Sequence, residues 1–221
     1  MQRLKPIGII TLFLALGAAV GWVVSGNWSQ IKRALLFTPT VYMTADDELQ
    51  HAIENNEVRA ISWETLLPAA DRDALARYQQ APPSSMNDFT TQILRSIEAS
   101  SDSAYQQAMT SAEVVDALNN TWVSIPGFLV PIDFHADQSV RHVFVVPYFG
   151  ACLHFPPPPP NQMIFARLEP GFSSLELTQP YQLQGRLSIA TFEDPLGTSA
   201  YAMQVSAIQL FMGQPDDVRQ H

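Results

Sequence analysis

The chain has 221 residues, 47% of them hydrophobic and 15% charged, with 21 acidic against 12 basic side chains. That is too apolar for a disordered chain and too acidic for a surface that meets nucleic acid, whose phosphates an anionic field repels. The length suits one main domain once an apolar N-terminal run is set aside.

The first six residues carry Arg3 and Lys5 and lead into residues 7–24, IGIITLFLALGAAVGWVV, a stretch without a charge. A spanning helix needs about 20 apolar residues, and a cleaved signal core only about 7 to 15. The run therefore reads as an uncleaved inner-membrane anchor, with Trp22 and Trp28 at the outer interface. A signal peptide cut after Ala18 or Ala19 is the alternative, and both readings put the remainder in the periplasm. No lipobox cysteine follows. From Ala34 onward the chain carries eight basic residues against all 21 acidic ones, formally −13. That charge keeps an exported surface soluble and attracts cations or a basic partner.

Residues 25–60 read as a tether, with Asp46, Asp47 and Glu48 clustered near its end. Residues 61–118 read as a docking segment followed by a helical elaboration. Trp63 and two leucines in ISWETLLP (61–68) give the first part the look of a contact surface. Beyond it Met86, Phe89, Ile93 and Ile97 recur on one helical face. Pro82 and Pro83 break the region, and Thr110 with Glu113 matches a capping box for a short helix reaching Leu118.

After Asn119-Asn120, a pair that tolerates positive φ, the pattern changes to strand. Runs at Trp122–Asp133, Arg141–Phe149, Gln162–Leu168, Tyr181–Thr191 and Tyr201–Phe211 are each bounded by turn residues. The expected class is mainly β with an α-helical insertion, a small five-stranded OB-like barrel over 119–212, one transmembrane helix before it and a tail at 213–221. Pro126, Pro131 and Pro147 within these runs predict bulges or edges.

The segment PYFGACLHFPPPPPNQ (147–162) concentrates the chemistry. In extended chain Cys152 and His154 point the same way, with Cα atoms about 6.6 Å apart. A thiolate and an imidazole so placed can reach one zinc ion, with His142, His135, Asp133 or solvent completing the set. Gly150 allows a sharp turn ahead of the pair. Pro156, Pro157, Pro158, Pro159 and Pro160 fix an extended rod without N–H donors, expected on the surface. With Asn161, Gln162 and Trp63 it could dock a partner protein. Other readings stay open: Cys152 as a small core side chain, His154 as a packing residue, a metal-free adaptor, or a catalytic thiol, for which no orienting third group is visible.

The segments SWETLLP (62–68), IPGFLVPIDF (125–134), VPYFGACLHFPPPPPNQMIF (146–165), YQLQGRLSI (181–189) and GTSAYAM (197–203) resemble a bacterial family catalogued as domain of unknown function 3299. The resemblance covers about 62–210. It implies an exported or membrane-attached protein of proteobacteria with no established enzymatic activity, genes often lying near those for ABC-type transporter ATPase and permease subunits, in some cases in zinc-responsive loci, and Cys152 and His154 as the distinctive polar residues. The helical stretch at 69–118 is longer than the resemblance leads one to expect.

Overall fold

The computed structural model describes residues 39–78, 86–151 and 157–215. The apolar run at 7–24, the Cys152–His154 pair, Pro156 and the last six residues of the tail lie outside that set. Among the described residues no helix is long and apolar enough to cross a membrane.

Chain order begins with strand β1 (Thr40–Met43), helix α1 (Asp47–Glu54) and the two-residue strand β2 (Arg59–Ala60). All three fall within the stretch expected as a tether, so the folded domain starts about twenty residues earlier than the sequence pattern indicates. Asp46 caps α1, its side chain accepting from the Glu48 and Leu49 amides, and the acidic cluster thereby serves a helix N-terminus. Helices α2 (Ala69–Ala76), α3 (Met86–Ser101) and α4 (Ser103–Ala108) follow. The expected helix at 110–118 is not formed. The Thr110 hydroxyl donates back to the Gln106 and Gln107 carbonyls, closing α4, and only Asp116–Leu118 makes a 3₁₀ turn.

Five strands then form the barrel: β3 (Thr121–Phe134), β4 (Val140–Val146), β5 (Ile164–Phe172), β6 (Tyr181–Asp194) and β7 (Gly197–Leu210). β3 pairs with β4 and β4 with β5, both antiparallel; β5 runs parallel to β7, β7 pairs with β6, and β6 returns to β3. The circuit closes, as expected for an OB-like barrel, and removes the exposed edges of an open sheet. β1 and β2 are additions, on β7 and β3. Gln162 is not in strand; it ends a 3₁₀ turn from Pro160 to Gln162.

Alternation of period two fills the interior. Val123, Ile125 and Leu129 on β3 meet Val143 and Val145 on β4 and Leu183 and Leu187 on β6, all fully enclosed. The opposite faces of β3, β4 and β5 carry a second apolar cluster, in which Phe128, Phe144 and Phe165 are covered by Ala151 and Met163 from the two flanks of the proline segment. The prolines sit where a ladder can spare a donor. β3 pairs with β6 up to Gly127 and with β4 from Phe128, so Pro126 lies at the handover, and the register shifts immediately after Pro131.

Candidate functional site

Two regions stand out, and the first is the frame of the Cys152–His154 loop. On its N-terminal side β4 ends at Val146, Gly150 turns at φ 78°, and Ala151 is fully buried. On its C-terminal side Pro158 and Pro159 are buried, while Pro157 and Pro160 are half-buried. Asn161 and Gln162 are completely enclosed. The Gln162 Nε2 donates to the Trp63 carbonyl at 3.0 Å, and the Asn161 Nδ2 donates to Asp71 Oδ2 at 2.9 Å and to the Glu113 carbonyl at 3.1 Å. Trp63, itself buried, donates from its indole to the Pro126 carbonyl at 2.7 Å. Nearby the Tyr201 hydroxyl donates to the Leu66 carbonyl and accepts from the Val115 amide.

These contacts correct the expectation that Trp63, Asn161, Gln162 and a surface proline rod form a docking face. Distant stretches of sequence meet here because each supplies what the other lacks. The 3₁₀ turn at Trp63–Leu66 leaves carbonyls that no regular ladder satisfies, and buried side-chain amides satisfy them. The five residues from Cys152 to Pro156 are therefore bracketed by anchored chain on both sides.

The two outer histidines do not approach the bracket along the strand. His142 lies on β4 four residues before its end, about 13 Å back along the strand. Its Nδ1 is 3.3 Å from Asp133 Oδ2 and its ring is tilted against Phe165. Partial burial, with the neighbouring Arg141 adding to it, holds the imidazole below its ordinary pKa of 6.5, against the opposing pull of Asp133. His135 sits in the β3–β4 turn, with Nε2 buried and lacking a hydrogen-bond partner. Among the described residues no three His, Cys, Asp or Glu side chains converge as a metal site would require. Cys152 and His154, the pair to which His142 and His135 were expected to add, lie outside the described residues.

The second region is a cleft of about 650 Å³ on the outer face of the barrel. The strand register builds its floor. Arg167 on β5 is opposite Gln204 on β7, Gln204 is opposite Arg186 on β6, and Arg186 is opposite Trp122 on β3. Four adjacent strands thus set an Arg–Gln–Arg–Trp row across the surface. One step along, Phe165, Ala202 and Ser188 form the next row, and the small Ala202 leaves a depression of about 160 Å³ that Asn120 also lines. Asn120 adopts φ 57°, the left-handed conformation expected of that turn pair.

Aromatic rings hold both guanidiniums of the row. Arg186 Cζ lies 5.1 Å from the Trp122 ring and Arg167 Cζ 5.5 Å from the Phe165 ring. Arg186 also meets Glu48 at 2.7 Å, whereas Arg167 forms no ion pair among the described residues. The same cleft is lined by Asp46, Asp47 and Glu48 from the start of α1 and by Glu169, two residues beyond Arg167 on β5. Asp46 is committed to the helix cap and to the Ser206 hydroxyl, and Glu169 lies 3.9 Å from Arg141. Gly185 makes the row possible, since a Cβ there would stand 2.1 Å from the Gln204 carbonyl oxygen. No contiguous motif announces this cleft; the only local signal is an arginine at a polar-facing strand position in each of two strands.

The fold is a closed, five-stranded OB-like barrel with one polar cleft on its outer face. The sequence profile of the family described as "Protein of unknown function (DUF3299)" matches residues 63–210. The chain belongs to that family. A crystal structure of a DUF3299 family protein from Pseudomonas aeruginosa PAO1 is similar, at 28% identity and a TM-score of 0.50, over 71% of this chain and 97% of that one. A small single-stranded DNA-binding protein from Streptomyces coelicolor also matches, at 18% identity and a TM-score of 0.25, over 42% of this chain and 96% of that one. No curated protein matches the sequence significantly.

Proposed function

We propose that the protein is a metal-handling accessory module of a bacterial envelope, held at the inner membrane by residues 7–24, with Cys152 and His154 taking a borderline divalent ion such as zinc. The observation that carries this reading is the bracket. Buried Ala151 on one side and buried Pro158, Pro159, Asn161 and Gln162 on the other fix the ends of a five-residue segment. Pre-fixing both ends lowers the ordering cost of assembling ligands on a loop. Zinc needs three or four donors, so solvent or a transport partner completes the set around these two residues. Work beside an ABC-type permease follows from the family resemblance alone.

Exposed Phe149, edge-on to Phe128 beside the loop, favours a second reading, an adaptor that docks an envelope protein through the loop's apolar flank.

The test is metal content. The full-length chain, purified in mild detergent without chelator, is expected to carry near-stoichiometric zinc or copper that both Cys152→Ser and His154→Ala lose. A protein that neither carries nor takes up metal, with both variants folding like the parent, overturns the metal reading and leaves the adaptor.

A further inference from the structure

We propose that the outer cleft is a binding site for a small zwitterion, an amino-acid-like or peptide-like ligand whose oxyanion sits between Arg167 and Arg186 and whose ammonium faces Asp47 and Glu169. None of the residues that line the cleft falls within 147–162.

Three observations converge on it. The strand register places Arg167 and Arg186 two strands apart on one face with Gln204 between them, a Cα separation of about 9.6 Å. Long side chains converging from that spacing can grip one carboxylate or phosphate from both sides, and the Gln204 amide can donate to it from below. Arg167 has no ion-pair partner among the described residues, yet its guanidinium is placed by the Phe165 ring. Trp122 and Phe165 pre-orient the two cations, so less rotamer freedom is lost on binding.

The carboxylates that share the cleft decide the class of ligand. A plain anion entering the cleft would meet Asp47, Glu48 and Glu169 within the same 650 Å³, and like charges oppose it. A ligand carrying both signs satisfies both sets of charges. Glu48 already shows the expected exchange: its carboxylate occupies Arg186 at 2.7 Å, the place the ligand's own oxyanion would take.

Isothermal titration calorimetry of the full-length chain in detergent tests this with glycylglycine, acetate, ethylamine and O-phosphoethanolamine as probes. Glycylglycine is expected to bind saturably, at least about tenfold tighter than acetate or ethylamine, and to lose about tenfold or more in Arg167→Gln and in Gln204→Ala. Both positions are exposed, and unchanged thermal unfolding of the variants verifies their folds. Glu48→Gln is expected to free Arg186 and narrow the preference for glycylglycine over acetate. Tighter binding of O-phosphoethanolamine than of glycylglycine would assign the same chemistry to a lipid headgroup. Equal binding of acetate and glycylglycine overturns the zwitterion; affinity untouched by the Arg167 and Gln204 variants overturns the site; so does an absence of saturable heat up to roughly 10 mM, a concentration weaker than ordinary small-molecule affinities.

Discussion

The frame on either side of residues 152–156 and the outer cleft are built by opposite routes. The frame belongs to one continuous stretch of sequence, dense in unusual residues, and most of its described residues turn inward: Asn161 and Gln162 close buried hydrogen bonds and two prolines pack. The cleft has no motif, and its polar row comes from four strands brought into register. Concentrated composition here marks a frame, whereas the polar cleft is dispersed in sequence. A frame must satisfy many buried polar groups at once, which demands particular residues at adjacent positions. A cleft on a barrel face needs only that certain strand positions be polar.

Substitutions that separate structural from recognition roles sharpen this contrast. The largest effect is expected from Trp63→Ala, which empties a fully enclosed site and removes the bond to the Pro126 carbonyl. A loss of about 3–5 kcal/mol in denaturant unfolding is predicted, a large share of a domain's stability. A loss under about 1 kcal/mol would mean that Trp63 serves a surface after all. Gln162→Leu keeps the volume but strands the Trp63 carbonyl, at about 1–3 kcal/mol.

Gly185→Ala tests the join between fold and cleft. Because a Cβ would press on the backbone oxygen of Gln204, β6 must move from β7, at about 1–3 kcal/mol in thermal unfolding. The same change is expected to weaken glycylglycine binding by spreading the two arginines. Arg167→Gln, by contrast, is expected to alter stability by no more than about 0.5 kcal/mol, because the side chain is exposed and holds no ion pair. A much larger loss would make the cleft structural too and dissolve the contrast.

The smallest effect concerns His142. Its folded pKa is held below the ordinary 6.5, chiefly by partial burial, so the unfolded chain binds the proton more readily. The stabilising contribution is complete above about pH 6.5 and is lost as pH falls through the lower folded value. In His142→Gln, urea midpoints between pH 7 and 5 should fall less steeply than in the parent. Parallel curves would show that protonation of His142 is not linked to folding.

Much of the architecture follows from local pattern. Alternation at Val123, Ile125 and Leu129, and at Leu183 and Leu187, marks strands with one enclosed face. The turn pair at Asn119-Asn120, the bulge at Pro131 and the family motifs are equally local, because glycine, proline and asparagine act within two or three residues. The helix at Met86–Ser101 also follows its apolar period. β1 and α1 escape this reading, since a four-residue strand and an acidic helix start have too little pattern to stand apart from a polar linker.

The sequence alone thus determined the barrel, its order of strands along the chain and the positions where it bends, all consequences of side-chain period and backbone restriction. Only the tertiary structure decided which polar residues face inward. Asn161, Gln162 and Trp63 look exposed by composition, but their partners at Asp71, Glu113 and Pro126 are remote in sequence. Likewise Arg167, Gln204, Arg186 and Trp122 become neighbours only when the barrel closes and fixes register. Strand register is a long-range choice, made by packing of the enclosed face, and no residue of the row carries it locally.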